Sequence, residues 1–259
     1  MSWWGKLVGG AFGFMLGGPL GALIGAAIGH NFDSGLKMQT RWEPGDQERV
    51  QTAFFTATFS VMGHIAKADG HVSKDEINNA QQVMASMELD DEMRKVAIKL
   101  FQQGKARDFP LDDILEQFRR ECHRRQNLIR LFIEIQLQAA YADGSMHPKE
   151  RTLLQHICRQ LGISPDEFDV LAGAAGAERN YGGAAGRKTM SLDDAYAMLE
   201  IPSNSSDKEI KRAYRRMMSR HHPDKLVAKG LPEEMMKLAT EKTQEIQAAY
   251  ELIKSCLLY

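Results

Sequence analysis

The spacing of hydrophobic positions divides the chain into three parts. An uncharged apolar run fills residues 7–29, and helix-spaced apolar residues follow over about 46–172. From residue 191 onward, two shorter amphipathic segments again place apolar residues three and four positions apart. Strand-like alternation is absent from this pattern. It predicts an all-α protein with an N-terminal single transmembrane helix, a helical bundle and a C-terminal helical hairpin.

The N-terminal run is long enough to cross a bilayer. Its 23 residues from Leu7 to Gly29 carry no charge, and a spanning helix needs about 20 apolar residues. Trp3 and Trp4 precede it, where an aromatic belt would meet the membrane surface. Glycine recurs at every fourth position, at Gly9, Gly13, Gly17, Gly21, Gly25 and Gly29. Such a stripe permits close approach of a second helix, so residues 1–31 are predicted to be a transmembrane anchor that forms a homodimer.

Three other interpretations of this run stay open: a cleaved signal peptide, a disordered tail, and a span that does not self-associate. The glycine-rich core lacks a clear A-x-A site, which argues against cleavage. Lys37 and Arg41 after the run outnumber Lys6 before it, which favours an inner-membrane protein with its C-terminal bulk in the cytoplasm. Three cysteines without paired spacing agree with a reducing compartment.

The middle region, residues 46–172, is predicted to be a bundle of about seven helices with short loops. It contains an internal repeat, in which AKADGHVSKDE at 66–76 matches AYADGSMHPKE at 140–150. The repeat indicates two related helical hairpins.

The Asp-Gly pairs of this repeat have two interpretations. A calcium loop needs oxygen ligands at alternating positions before its glycine, and here only Asp69 or Asp143 precedes it. Structural turns explain more of the pattern, because the glycine can end one helix and a capping box of Ser73 with Glu76 can begin the next. A divalent-metal or ligand site remains the alternative.

The paired A-x-A-D-G loops resemble the tellurite-resistance TerB-like domain. The resemblance covers about 120 residues of the bundle. It implies that acidic residues on the two loops are candidates for a metal site. The matching positions are Asp69, Glu76, Asp143 and Glu150.

Residues 173–190 are rich in glycine and alanine, which predicts a flexible linker. The domain after it, 191–259, pairs a basic helix with a second amphipathic helix. A capping box of Ser206 with Glu209 begins the basic helix. Its predicted buried stripe comprises Ile210, Ala213, Tyr214, Met217, Met218 and His221.

The cations of this helix are Lys208, Lys211, Arg212, Arg215, Arg216 and Arg220. Like charges four residues apart repel by a few tenths of a kcal/mol per pair. The cluster therefore indicates docking on an acidic protein surface, with a solvated face as the alternative. Nucleic acid is not expected as a partner, because interleaved stacking aromatics and a reading motif are missing.

A tripeptide, His222-Pro223-Asp224, follows the basic helix. Proline fixes its own φ and pushes the preceding residue out of the α region, so the helix is expected to end near His221. The turn then displays His222 and Asp224 rigidly. No nucleophile or second acid lies nearby in the sequence, so the pattern is typical of docking rather than catalysis.

This domain resembles the J domain of the DnaJ co-chaperones. The matching residues are Tyr196, Leu199, the K-R-A-Y run at 211–214, the H-P-D tripeptide at 222–224 and E-I-Q-A-A-Y-E-L at 245–252. Two positions depart from the family: His221 stands where Tyr is usual, and Thr243 replaces a core Phe. The Gly/Phe-rich segment and the zinc-binding repeats of general DnaJ proteins are absent.

The resemblance implies a DnaK-class chaperone as partner. His222, Pro223 and Asp224 would trigger ATP hydrolysis by that partner. The docking residues it implies are Lys208, Lys211, Arg212, Arg215 and Arg216.

The complete arrangement resembles membrane-anchored DnaJ-type co-chaperones. We expect a regulator that recruits DnaK to the inner membrane and stimulates its ATPase, and the resemblance implies envelope-stress or capsule signalling. No enzymatic activity and no cofactor are expected, because the chain has no phosphate loop, nucleophile elbow or ligand cluster. The alternative is a membrane-tethered sensor or scaffold whose bundle binds a metal, another ligand or an unidentified partner.

Overall fold

The structure is a computed structural model that describes residues 17–29, 45–68, 84–85, 87, 89–141, 145–182 and 190–257. All regular secondary structure in these ranges is helical, which confirms the predicted all-α class. The helices are α1 (Gly18–Gly29), α2 (Asp46–Ala66), α3 (Asp91–Gly104), α4 (Leu111–Glu121), α5 (Gln126–Ala140), α6 (Pro148–Gln160), α7 (Pro165–Gly182), α8 (Leu192–Met198), α9 (Asp207–His221), α10 (Pro223–Val227) and α11 (Met236–Leu257). A 3₁₀ turn, Glu233–Met235, precedes α11.

Polar side chains begin several of these helices. Asp90 accepts a hydrogen bond from the Met93 backbone N–H at 2.7 Å, which caps α3. The predicted capping box at α9 is confirmed, since the Ser206 N–H donates to Glu209 Oε2 at 2.8 Å. These bonds satisfy N–H groups that the first turn of a helix leaves unpaired.

Helix α2 is the centre of the bundle. It is buried along almost its whole length, so its sequence is apolar or small on every side rather than amphipathic. Phe54 packs against Phe118 of α4 with 6.2 Å between ring centroids, and Phe118 packs against Phe132 of α5 at 4.7 Å. These rings join three helices in one core.

Two glycines let α2 and α3 approach closely. A Cβ on Gly63 would lie 2.0 Å from the Phe101 carbonyl oxygen, and one on Gly104 would lie 1.8 Å from the Ser60 carbonyl oxygen. Only glycine fits at these crossings, because the backbone of the facing helix occupies the place of a side chain.

Helix α1 packs on the bundle. Leu20, Ile24 and Ala27 are fully buried in the bundle core, and Lys99 Nζ donates to the Ala27 carbonyl at 2.8 Å. The helix begins at Gly18 because Gly17 and Gly18 have positive φ. Pro19 therefore stands in the first turn, where its missing N–H costs nothing.

The predicted span over residues 1–31 is described only in part. Within the described ranges, no helix combines the length and the apolar composition that crossing a bilayer requires. Gly9 and Gly13 of the glycine stripe lie outside those ranges, whereas Gly21 is buried on α1.

The segment expected to be a flexible linker is helical over its first ten residues. Helix α7 runs without a break through Gly182, so the interpretation of 173–182 as a linker is corrected. Ala172, Ala175 and Ala177 are buried, which shows that the alanines form a packing face. Residues 183–189 lie outside the described ranges.

We predict that Gly63→Ala lowers the free energy of unfolding by about 2–3 kcal/mol, because the added methyl group overpacks the α2–α3 crossing. Gly173→Ala in α7 is the matched control, since a Cβ there meets nothing within 4 Å. It should raise stability by about 0.5–1 kcal/mol through helix propensity. Urea denaturation measures both changes, and a neutral Gly63→Ala variant would contradict the close crossing.

Candidate functional site

The His222-Pro223-Asp224 turn joins two helices. Helix α9 ends at His221, and His222 has φ −59° and ψ 123°, outside the α region as its position before proline requires. The backbone N–H groups of Lys225 and Leu226 both donate to the His222 carbonyl at 3.1 Å, which fixes Pro223 as the first residue of α10. The side chains of His222 and Asp224 are exposed, and Pro223 is half-buried.

The predicted docking cations lie on the open side of α9. All five, Lys208, Lys211, Arg212, Arg215 and Arg216, are exposed. None of them forms an ion pair with another residue in the described ranges. The helix of 15 residues therefore presents a basic face over about 22 Å that leads to the tripeptide turn.

The opposite face of α9 packs on α11. Ile210, Ala213 and Met217 are buried with Ile246 and Ala249 in a small apolar cluster, as the predicted stripe requires. Tyr214 stacks on Tyr250 with 4.2 Å between ring centroids and is only partly buried. The hairpin therefore hides its apolar side and leaves its basic side to solvent.

The turn region also packs on the bundle, which the sequence did not predict. Leu226, Leu231, Met235, Leu238 and Ala239 are buried in the same continuous core as α2–α7. These residues follow the tripeptide directly, so the segment after the turn fills the apolar contact between the two domains.

Backbone contacts fix this docking. A Cβ on Gly230, whose φ is +102°, would lie 2.7 Å from Val50 Cγ1, so the loop rests directly on α2. Asn127 of α5 donates to the Arg220 carbonyl at 3.3 Å. The last turn of α9 and the loop after α10 are thus both held by the bundle.

A charge cluster lies in the contact between the bundle and the C-terminal domain. We call it the interdomain charge cluster; it comprises Arg130, Glu134, Glu167 and Glu178 of the bundle with Glu200, Arg220, His221 and Lys242 of the C-terminal domain. Arg130 donates to Glu167 and to Glu200, the latter at 2.6 Å, and so joins the two domains. Lys242 pairs with Glu178 of α7.

Glu200 is held in an uncommon conformation within this cluster. Its φ is +57°, in the left-handed region that few residues other than glycine adopt. Arg220 donates to both of its carboxylate oxygens, at 3.1 and 3.0 Å. Although burial opposes ionisation, Arg130 and Arg220 hold the pKa of Glu200 below its usual value. Its side chain is 6% exposed, so this carboxylate is a buried anion between two arginines.

His221 directly precedes the tripeptide and faces Glu134. Its Nδ1 lies 3.6 Å from Glu134 Oε2, and neither ring nitrogen has a hydrogen-bond partner. Burial lowers the pKa of His221 well below its usual value and raises the pKa of Glu134. In both groups, burial therefore opposes the charged form. The sequence offered one signal of this contact, the polar Glu134 within the apolar run LFIEIQL.

The metal-site candidates are only partly described. Asp69, Glu76 and Asp143 lie outside the described ranges. Glu150 is buried, and it accepts a hydrogen bond from the His147 N–H at 2.9 Å as the capping residue of α6. Across the part of the chain that the structure covers, no group of three or more His, Cys, Asp or Glu side chains is arranged to hold a metal.

Three family models match the chain. The model of tellurite resistance protein TerB matches residues 55–172, that of the co-chaperone DjlA transmembrane domain matches 1–39, and that of the DnaJ domain matches 194–255. These matches confirm both domain resemblances inferred from the sequence.

Curated relatives match over nearly the full length. The co-chaperone protein DjlA of Coxiella burnetii is 47% identical over 264 residues, covering 98% of each chain. Those of Yersinia pestis and Escherichia coli K12 are 45% and 44% identical, again over 98% of each chain. No solved structure matches.

We predict that Arg130→Met lowers the free energy of unfolding by about 3–5 kcal/mol, because it leaves Glu200 and Glu167 without their shared partner. Arg151→Gln is the matched control, since its pair with Asp169 is exposed and should contribute less than about 1 kcal/mol. Chemical denaturation of the full chain measures both. Equal losses would contradict the role of the cluster as a buried contact.

A second prediction concerns pH. Because the pKa of His221 is lowered in the folded chain, the unfolded chain binds the extra proton first as pH falls below about 6.5. The contribution of His221 to stability is therefore fully present well above that pH and should fall by about 1 kcal/mol between pH 6.5 and 5.5. His221→Phe should reduce this loss, whereas exposed His123→Gln should keep it. The midpoints of chemical denaturation at the two pH values measure this loss of stability. If His221→Phe loses as much stability as the parent, His221 is not the source of the pH dependence.

Proposed function

The chain belongs to the DjlA family of co-chaperones, and on this premise we propose that it recruits a DnaK-class chaperone to the inner membrane and stimulates its ATPase. The observation that carries the proposal is the tripeptide turn, exposed at the end of an unpaired basic helix face. The buried apolar residues of the C-terminal domain lie in its own small cluster or in the core of the bundle, away from this face.

The basic face serves as the docking surface in this proposal. The net charge of the chain is −1, so attraction of an acidic partner has to come from local clustering. Five exposed cations on one helix supply it, and they speed and orient the encounter more than they tighten the final complex.

The tripeptide serves as the trigger. His222 and Asp224 are solvent-exposed, and Pro223 holds their backbone at the start of α10. An imidazole and a carboxylate in fixed positions can form hydrogen bonds with a partner's surface without rearranging first, which lowers the entropic cost of docking. The chain itself supplies no catalytic group in this mechanism, and hydrolysis takes place in the partner.

The N-terminal part serves as a membrane anchor and dimer contact. The match to the DjlA transmembrane domain over residues 1–39 supports the anchor, and the fourfold glycine spacing supports close pairing of two helices. In the proposed topology the bundle and the J domain lie in the cytoplasm. The envelope-stress or capsule context implied by the sequence resemblance is tested by identifying proteins cross-linked to the bundle.

We predict that His222→Gln returns DnaK ATP turnover to the rate of the chaperone alone. The change keeps a polar side chain of similar reach but removes the imidazole from the turn. His123→Gln, an exposed histidine change on the bundle, is the control and should stimulate like the parent. Steady-state phosphate release with the full chain measures both, and full stimulation by His222→Gln would reject the trigger.

The same assay separates docking from triggering. Arg212→Gln with Arg216→Gln should raise the concentration of co-chaperone needed for half-maximal stimulation by roughly fivefold or more, with the maximal rate retained. Arg94→Gln with Arg120→Gln removes the same charge from exposed bundle positions and should change neither value. A lowered maximal rate in the first variant would assign the basic face to triggering instead.

For the dimer, Gly9→Leu with Gly13→Leu should abolish cross-linking between full-length chains in membranes. These positions are chosen because Gly21 is buried on α1, where a larger side chain would disturb the bundle. A change of Gly173→Leu on the exposed side of α7 is the control for added bulk. Cross-linking that persists in the glycine variant would reject this contact.

A further inference from the structure

An open cleft lies in the bundle, on elements other than the J domain. It has a volume of about 790 Å³ and lies between the C-terminal ends of α2 and α3 and the face of α6. This volume is within the range of clefts that hold small molecules. Ala68, Ala106, Pro148 and Leu153 form the apolar part of its wall.

Among the residues that the structure describes, the charged side chains of the lining are all cationic. Of the twelve described lining residues, five are lysine or arginine, two are histidine, and none is aspartate or glutamate. The five cations are Lys67, Lys105, Arg107, Lys149 and Arg159. His156 in the lining contacts a described acidic residue, Asp112, whose Oδ1 lies 2.6 Å from His156 Nε2. A concave surface whose charged groups have the same sign focuses the electrostatic field and concentrates ions of the opposite sign.

Part of this charge has a structural role. Lys67 Nζ donates to the Lys105 carbonyl at 3.0 Å, and the Lys105 ammonium lies 5.6 Å from the centroid of the Phe101 ring. Both lysines directly follow the C-terminal ends of helices, where cations offset the negative end of the dipole. These contacts explain why two cations are held at the base of the cleft.

Within the described residues Arg107 has no such contact, and Arg159 has only its position in the last turn of α6, where a cation offsets the negative end of the helix dipole. Arg107 and Arg159 are exposed, and neither guanidinium bonds or pairs with another described residue. Arg107 comes from the loop after α3 and Arg159 from the last turn of α6, so they reach the cleft from different walls. A guanidinium offers a planar fork of donors that matches the oxygens of phosphate.

The floor of the cleft holds a fixed imidazole. The His64 ring stacks on Phe109 with 4.9 Å between ring centroids, and its Nδ1 lies 3.1 Å from the Gly104 carbonyl oxygen. Because the carbonyl can only accept, Nδ1 carries the hydrogen. Burial lowers the pKa of His64, although the Gly104 carbonyl opposes the shift. The ring is thus a rigid polar group in the site.

We propose that this cleft binds a small ligand that carries two or more phosphate groups. Cations on opposite walls favour a ligand with separated anionic groups over a single phosphate, which would contact one wall at a time. The described cations favour an anionic ligand, a class different from the metal considered for the acidic loops. The proposal is independent of DnaK stimulation.

Isothermal titration of inorganic triphosphate into the full chain, in nanodiscs of neutral lipid at fixed ionic strength, tests the proposal. We expect saturable binding to the parent chain. Arg107→Gln with Arg159→Gln should weaken it about tenfold or more, because each lost charged hydrogen bond is worth more than 1 kcal/mol. Arg94→Gln with Arg120→Gln removes equal charge elsewhere on the bundle and should leave the affinity within about twofold. Thermal melts establish that all variants fold alike.

A second experiment distinguishes a lipid headgroup from a soluble ligand as the source of the phosphate groups. In nanodiscs with cardiolipin, whose headgroup carries two phosphates, a lipid headgroup that occupies the cleft would compete with triphosphate in the parent and not in Arg107→Gln with Arg159→Gln. Equal affinity in both kinds of disc would assign the cleft to a soluble ligand. The proposal is overturned if triphosphate does not bind the parent, or if the cleft variant and the control variant lose the same affinity.

Discussion

The buried pairing of Arg130 with Glu200 is the constraint on which the arrangement of the two domains depends. Arg130 belongs to the bundle and Glu200 to the C-terminal domain, and both side chains are at least 87% removed from solvent. Burying ions is costly, and the cost is recovered only when each has its partner in good geometry. Any rotation of one domain against the other would break this pair, after which Glu200 would keep Arg220 and Arg130 would keep Glu167 as partners within their own domains. The pair therefore selects one docking geometry, even though apolar contacts supply most of the attraction.

The apolar part of the contact explains why the two domains share a core. Leu226, Leu231 and Met235 come from the segment between the tripeptide turn and α11, which is short and has little core of its own. Once this segment is packed on α2, the two ends of the turn are fixed by the bundle. The domain matched by the DnaJ family model thus receives part of its local stability from the neighbouring domain.

Much of this protein could be predicted from local sequence pattern. Helix class, the capping box at Ser206 and the buried face of α9 follow from spacing, because they depend on residues within one or two turns. The start of α1 was missed, because positive φ at Gly17 and Gly18 outweighed the apolar run through them. The helical course of α7 was also missed, because its alanines looked like a linker until the surface they pack on was known. The interdomain charge cluster depends on pairs such as Arg130 and Glu200, 70 residues apart, for which spacing carries no signal.

Helix α7 affects how a partner encounters the tripeptide turn, because it connects the bundle to the C-terminal domain. Its 18 residues form a rod of about 27 Å, and its surface contacts α8 at the start of the next domain. A flexible linker would let the tripeptide occupy many positions and orientations, so that each would be populated only rarely. A continuous helix with a docked domain at its end instead keeps the turn in one position and orientation relative to the bundle. A partner that approaches the bundle would then meet His222-Pro223-Asp224 in one orientation.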